Sequence, residues 1–353
     1  MRLAGVAACL PKNVVDTSIA KEHFDEFDVK RIIGNTGVEQ KREAEPGIAV
    51  SDLCRGAAEP LIEKLGWDRE SIDAVILVTT LADHIMPATS HLIQRDLGLS
   101  ANCLVFDINL ACSGFTHGML VMNALMAGGL IKRGILLCGE MTSGTFRPRL
   151  ADVRHREDLA NAILFGDAGT ATALEASGDQ VKAVRYGADG SGAHHLIVPG
   201  GLGRDFFRAE LLERREEKQG DDVVHRRPLD LVMHGPEILT FTMKRVPPLV
   251  KGLLEDASWE RDEVDVWVPH QANRFMLNFL TRRLKLNADK VLLSIERFGN
   301  TASASIPLTM VTTGGDYLTK PTKWGMLGFG VGLSWSGLLI ETDEVLALPL
   351  IEI

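Results

Sequence analysis

The stretch WDRESIDAVILV, from Trp67, reappears from Trp259 as WERDEVDVWV, with tryptophan, arginine, an aliphatic residue and aspartate at identical offsets. Downstream, LGLSA from Leu97 is echoed by LKLNA from Leu284. A repeat whose unit is half the chain describes a duplicated domain and not a solenoid. Short apolar runs at Ala74–Thr80, Cys103–Asn109 and Gly134–Glu140 suit buried strands, and helix-like segments lie between them at Ala88–Leu97 and Ser113–Met126. The second half repeats the pattern with Val264–Val268, Lys290–Ile295 and the glycine-rich Gly325–Trp335. The expectation is two α/β halves, residues 1–176 and 177–353, each with a mostly parallel sheet flanked by helices.

The stretch INLACSGFTHG, Ile108 to Gly118, opens a run without charge that lasts to Ile131. That length could span a membrane, but Asn109, Ser113, Thr116, His117, Asn123 and several glycines interrupt it. It reads as a core strand followed by a core helix. A net charge of −9 argues against general nucleic-acid binding. The N-terminus lacks an apolar run of signal-peptide length, so the expected location is cytoplasmic. Five cysteines, at positions 9, 54, 103, 112 and 138, form no CxxC pair and fit a reducing compartment. No HExxH or Cys/His spacing suggests a metal, and no cofactor is expected. His194 and His195, read as neighbours on extended backbone, should point apart.

Duplication brings equivalent strand ends together, and ligand chemistry in open α/β folds gathers at the carboxyl ends of strands. Cys112, His270 and Asn300 all stand at such ends. A thiol at a strand-to-helix junction meets the positive end of a helix, which favours thiolate. A Cys/His/Asn set also serves papain-like hydrolases, so the residue types alone leave the reaction open. Cys9, Cys54, Cys103 and Cys138 read as small buried hydrophobes.

The motifs narrow it. ACSGF around Cys112, PHQAN at Pro269–Asn273, GNTASASIP at Gly299–Pro307 and GFGVGLSW at Gly328–Trp335 occur in order, with TGVEQKR near Thr36 and FGDAGTA near Phe165. Together they resemble the thiolase superfamily, and within it the β-ketoacyl-acyl-carrier-protein synthase III family. Asn300 separates the chain from the Cys-His-His elongating synthases and from biosynthetic thiolases; HQAN separates it from the chalcone-synthase-like branch. The resemblance implies a thiolase fold with a duplicated five-layered α-β-α-β-α core. It implies acyl transfer to Cys112, then decarboxylative Claisen condensation with malonyl carrier protein, in fatty-acid or related acyl or polyketide biosynthesis. His270 and Asn300 would hold the malonyl thioester oxygen. The N–H groups of Cys112 and Val331 would form the oxyanion hole, and Phe329 would stand near the malonyl carboxylate. The alternative is an acyltransferase or thioesterase that uses the same cysteine without condensation.

The entrance departs from the family pattern. Arg31 stands where a tryptophan stacks on the coenzyme A adenine, Leu159 where an arginine faces it, and Asn35 where a further arginine precedes the TG motif. Either acyl-coenzyme A or acyl carrier protein could donate, and these substitutions favour the carrier protein. Met86 matches the aromatic residue that closes the acyl pocket across a homodimer, and methionine leaves room for a longer or bulkier chain. Asn273 and Arg274 fall in the substrate-binding stretch, and Lys244, Arg245, Arg274, Arg282, Arg283 and Lys285 offer a basic face to an acidic carrier. Gly201–Pro228 reads as a charged insertion or flap.

Overall fold

The structure, a computed structural model, describes residues 1–201, 213–219 and 222–353. The first half contains β1 (Arg2–Leu10), α1 (Glu26–Thr36), α2 (Val50–Leu65), β2 (Ala74–Val78), α3 (Thr89–Asp96), β3 (Leu104–Ile108), α4 (Gly114–Ala127), β4 (Arg133–Glu140), α5 (Arg156–Leu164) and β5 (Ala168–Glu175). The second contains β6 (Val181–Ala188), α6 (Gly235–Ala257), β7 (Val266–Pro269), α7 (Arg274–Arg283), α8 (Ser305–Thr313), β8 (Thr322–Gly330) and β9 (Ser334–Thr342). Two short strands, β10 (Leu346–Ala347) and β11 (Ile351–Glu352), close the chain.

The first sheet runs β10-β1-β5-β4-β2-β3, with β11 also beside β1; the second runs β7-β8-β9-β6. Strands β1, β5, β4 and β2 correspond in order and direction to β6, β9, β8 and β7. The C-terminal strands return to the first sheet, so the tail crosses back over the repeat. Between the sheets lie α4 and α8; α2 covers the first sheet outside and α6 the second. The middle helices, GFTHGMLVMNALMA and SIPLTMVTT, carry no Asp, Glu, Lys or Arg. A helix covered on both sides has no face to present charge to water, which is why the uncharged run is a core element. Among the described residues no helix is long and apolar enough to cross a membrane. These are the layers of the thiolase fold.

The repeated residues do the same work twice. Asp73 accepts from the Arg133 N–H at 3.1 Å, and Asp265 accepts from the Lys323 N–H at 2.8 Å, each tying one strand to its neighbour. Above them Arg133 lies over Trp67 and Lys323 over Trp259, at 5.0 and 4.7 Å from the ring centroids.

Three expectations fail. The second sheet is not mostly parallel: β7 and β8 run parallel, but β8–β9 and β9–β6 are antiparallel. Lys290–Ile295 is not a strand: a 3-10 turn at Ala288–Lys290 leaves a single bridge, Trp267 to Val291. Gln271 then replaces the ladder, donating to Pro269 and Leu292 and accepting from Ser294. His194 and His195 lie in a 3-10 turn, Gly190–His195, with ring centroids 4.0 Å apart, so they do not diverge as they would on extended backbone. Of the Gly201–Pro228 segment, residues 202–212, 220 and 221 lie outside the described residues. Its described part holds an antiparallel pair, Arg215–Gln219 with Asp222–Arg226, docked on α5 through Arg214–Asp158 and the His225 N–H to Glu157.

Candidate active site

Cys112 occupies the tight turn between β3 and α4, where the Gly114 N–H donates to the Ala111 carbonyl at 2.8 Å. Gly114 is obligatory there, because a Cβ would sit 2.3 Å from a methyl of Val78. From the other half, β8 approaches through its glycines. A Cβ on Gly328 would lie 2.8 Å from the Ser113 Cα, and one on Gly330 2.6 Å from the Cys112 Cβ. The GFGVG glycines therefore admit the nucleophile turn. Cys112 packs with Ala111, Ala302 and Val331.

The thiol does not behave as the helix terminus alone suggests. Burial pushes Cys112 up to about 12; hydrogen bonds from the Val331 N–H and its own N–H oppose this, and the Glu140 carboxylate adds to it. Desolvation wins over the helix end. The same two N–H groups are those expected to form the oxyanion hole, and both face the sulfur.

His270 follows β7, its N–H donating to Leu327 at 2.7 Å. Burial pulls its imidazole down to about 3, so the ring is neutral. Nδ1 lies 2.7 Å from Ser305 Oγ, which also lies 2.8 Å from the Ala302 carbonyl oxygen. Phe329 meets the ring edge-on, centroids 5.7 Å apart. Asn300 sits on a bridge to Phe165, where Gly166 donates to its carbonyl and its N–H donates to Leu164. Its side chain donates to Ala272 at 3.2 Å and accepts from Ala302 at 2.9 Å. Ala302 thus touches Cys112, is hydrogen-bonded to Asn300 and shares Ser305 with His270. That residue brings the three together.

Beneath Asn300, a buried Lys41 donates to Glu43 at 2.7 Å and to the carbonyls of Ala162 and Phe165, while Arg147 pairs with Glu43 at 2.8 Å. This ionic cluster gives TGVEQKR and FGDAGTA a structural task. Sequence reasoning missed Glu140, fully buried at the end of β4. It accepts from Thr80 Oγ1 at 2.6 Å and Ser303 Oγ at 3.2 Å, and burial raises its carboxyl to about 7. Its only sequence signal was a charge closing an apolar strand run.

The entrance residues separate. Arg31 is exposed and pairs with Asp28 at 3.2 Å; Asn35 is exposed near the end of α1. Arg274 packs onto Gly37 and pairs with Glu296 at 2.6 Å, joining α1 to α7. Asn273 caps α7 by accepting from the Met276 N–H. Leu159 is fully buried among Val29, Val38 and Ile163, so it presents no surface to a nucleotide. Met86 stands 79% exposed beside an equally bare Ile85. An open cleft of about 710 Å³ near Leu254, Trp259 and Arg283 contains none of the three polar residues.

Comparison with known proteins identifies the family. The profile "3-Oxoacyl-[acyl-carrier-protein (ACP)] synthase III" matches residues 106–190, and that of its C-terminal region matches 254–342. The β-ketoacyl-[acyl-carrier-protein] synthase III of Lactococcus lactis is 30% identical, over 96% of this chain and 98% of its own. Among solved structures, a 3-oxoacyl-(acyl-carrier protein) synthase from Burkholderia xenovorans LB400 is 36% identical with a TM-score of 0.88, covering 100% of this chain and 97% of its own. The priming β-ketosynthase of the R1128 polyketide pathway is 26% identical, with a TM-score of 0.79 over 97% of this chain and 96% of its own. The chain belongs to the β-ketoacyl-[acyl-carrier-protein] synthase III family of the thiolase superfamily.

Proposed function

We propose that the enzyme transfers an acyl group to Cys112 and condenses it with malonyl carrier protein. The observation that carries this is the convergence of both N–H donors on the sulfur while a neutral His270 and Asn300 stand across Ala302. The sulfur attacks the acyl thioester carbon, and the oxyanion takes hydrogen bonds from Cys112 N–H and Val331 N–H. Collapse expels the donor thiolate, which takes up the proton that Cys112 loses. The malonyl thioester oxygen then accepts hydrogen bonds from Asn300 and from His270 in the tautomer protonated at Nε2, for which Ser305 Oγ gives its proton to Nδ1 and not to the Ala302 carbonyl. The bond to its carboxylate breaks, carbon dioxide leaves, and the electron pair forms an enolate. Phe329 offers that carboxylate an apolar wall, which favours its departure as neutral gas. The enolate carbon attacks the acyl-Cys112, and the released thiolate is reprotonated from solvent.

Three further features fill out this reading. The outer edge of β3 has no strand partner among the described residues, and Leu104 is 41% exposed. A bare apolar edge suits a homodimer, which would bring Met86 to the partner's acyl pocket. On α7, exposed Phe275 and Phe279 stack with centroids 6.5 Å apart beside Arg282 and Arg283, a surface fit for an acidic carrier protein. With Leu159 buried and α5 covered by Arg214 and His225, carrier-bound acyl groups are the favoured donors. The assignment of roles is tested by acyl-enzyme mass and product yield, measured separately. Cys112→Ser abolishes acylation, whereas His270→Ala and Asn300→Ala acylate but do not condense; normal condensation by either would refute the roles.

A further inference from the structure

Two hydroxyl pairs cross between the halves beneath the nucleophile. Ser113 Oγ lies 2.7 Å from Ser334 Oγ, and Ser334 Oγ donates to the Val331 carbonyl at 2.6 Å. One turn along α4, Thr116 meets Ser336, which also reaches His117 Nδ1 at 2.9 Å. In the first pair Ser334 has one proton and gives it to Val331, so Ser113 is the donor. The chain therefore runs from the residue after Cys112 to the residue that carries the second oxyanion donor.

That donor needs holding. Val331 stands between Gly330 and Gly332, at φ +155° and +136°. Glycine on each side lets Val331 turn as a whole at little steric cost, which would carry its N–H, in the 330–331 peptide, away from the sulfur; the hydroxyl chain opposes this by holding its carbonyl, in the 331–332 peptide. An oxyanion hole accelerates reaction only if its dipoles are aligned before charge develops.

We propose that Ser113 and Ser334 are positioning residues of the oxyanion hole, locking the Val331 backbone to the nucleophile turn through a chain of two hydroxyls. The inference rests on Cys112 as nucleophile. The hole serves the two tetrahedral states formed at Cys112, acylation and condensation. Decarboxylation depends instead on His270 and Asn300. Breaking the hydroxyl chain therefore slows the steps at Cys112 and lets carbon dioxide release outrun product, the unused enolate being protonated to the acetyl thioester.

The test uses the full-length enzyme and Ser334→Ala, Ser113→Ala and Ser334→Thr variants. Single-turnover acylation of Cys112 is followed by mass. The ratio of carbon dioxide to 3-oxoacyl product is measured on enzyme acylated beforehand. Both alanine variants should acylate about ten- to a hundredfold more slowly and show a ratio above that of the wild type; Ser334→Thr, which keeps the hydroxyl, should restore both. Acylation within twofold of wild type overturns the proposal, as does an unchanged ratio, or a threonine variant no better than alanine. Should Ser334→Ala not fold, Ser113→Ala carries the same criteria. A wild type not acylated at Cys112 refutes the nucleophile and this inference with it; a normally acylated wild type with unaffected variants refutes the inference alone.

Discussion

Alkylation of Cys112 across a pH range tests the electrostatics of the site without any substrate. The thiol titrates at about 12, against 9.0 for an unperturbed cysteine. Each tenfold in ionisation corresponds to one pH unit, so near neutrality the Cys112 thiolate is about a thousandfold scarcer than that of an exposed thiol. The cause is burial, and the two N–H groups aimed at the sulfur recover only part of it. The resting enzyme is therefore slow with iodoacetamide. The assay compares second-order rates of carbamidomethylation at Cys112 and at a model peptide thiol, between pH 6 and 10, by peptide mass. The Cys112 rate should climb through the whole range without levelling. A plateau below pH 9 would show a stabilised thiolate and refute the dominance of desolvation.

Other perturbations follow from contacts around the sulfur. A methyl on Gly330 would stand 2.8 Å from Cys112 Sγ at a φ of +155°, so Gly330→Ala should destabilise by about 1–3 kcal/mol and abolish acylation, read by denaturant unfolding and acyl-enzyme mass; wild-type acylation would refute the contact. Ser305→Ala removes the partner of His270 Nδ1. It should lower condensation roughly ten- to a hundredfold while acylation stays within twofold, and equal losses in both would refute a role confined to the imidazole. Donor preference is read from kcat/KM for one acyl group on coenzyme A and on carrier protein, with malonyl carrier protein fixed; equal or better use of coenzyme A would refute the reading of the entrance.

What the sequence could disclose divides along physical lines. Trp67, Arg69 and Asp73 and their copies at Trp259, Arg261 and Asp265 are legible because each works within its own half, where spacing alone determines the turn and the strand start. The ordered motifs are legible because glycines there are demanded by close approach, as at Gly114 and Gly330. The ionisation of Cys112 was not, since it depends on β8 returning from a distant part of the chain to bury the sulfur. The burial of Leu159 was not legible for a similar reason: its place before FGD reads as an entrance position, but its side chain turns into the core against α1. Lys290–Ile295 has the composition of a strand and lacks one because Gln271 takes up the backbone groups a ladder would have used.

At Cys112 the pH response near neutrality should belong to a residue that touches no substrate. His270 is neutral above about 3 and Cys112 below about 12, so neither changes charge near neutrality. Glu140 does: burial, helped by the charge of Asp167, raises it to about 7 in spite of the donors Thr80 and Ser303. Once ionised, it opposes a negative sulfur at Cys112. Alkylation of Cys112 should therefore rise less steeply as pH passes through about 7 and regain its slope above. In Glu140→Gln the slope is uniform and the rate above pH 7 is higher. Stability supplies an independent reading with a definite sign. The folded carboxyl holds its proton more tightly than the unfolded one, which releases it near 4.5. Glu140 thus contributes stability that is present below that pH and lost as pH rises through about 7. Unfolding free energies of wild type and Glu140→Gln, compared from pH 4 to 8, should diverge across that window, the wild type losing stability relative to the variant. Parallel curves, together with an unbroken alkylation slope in the wild type, would show that Glu140 does not titrate there.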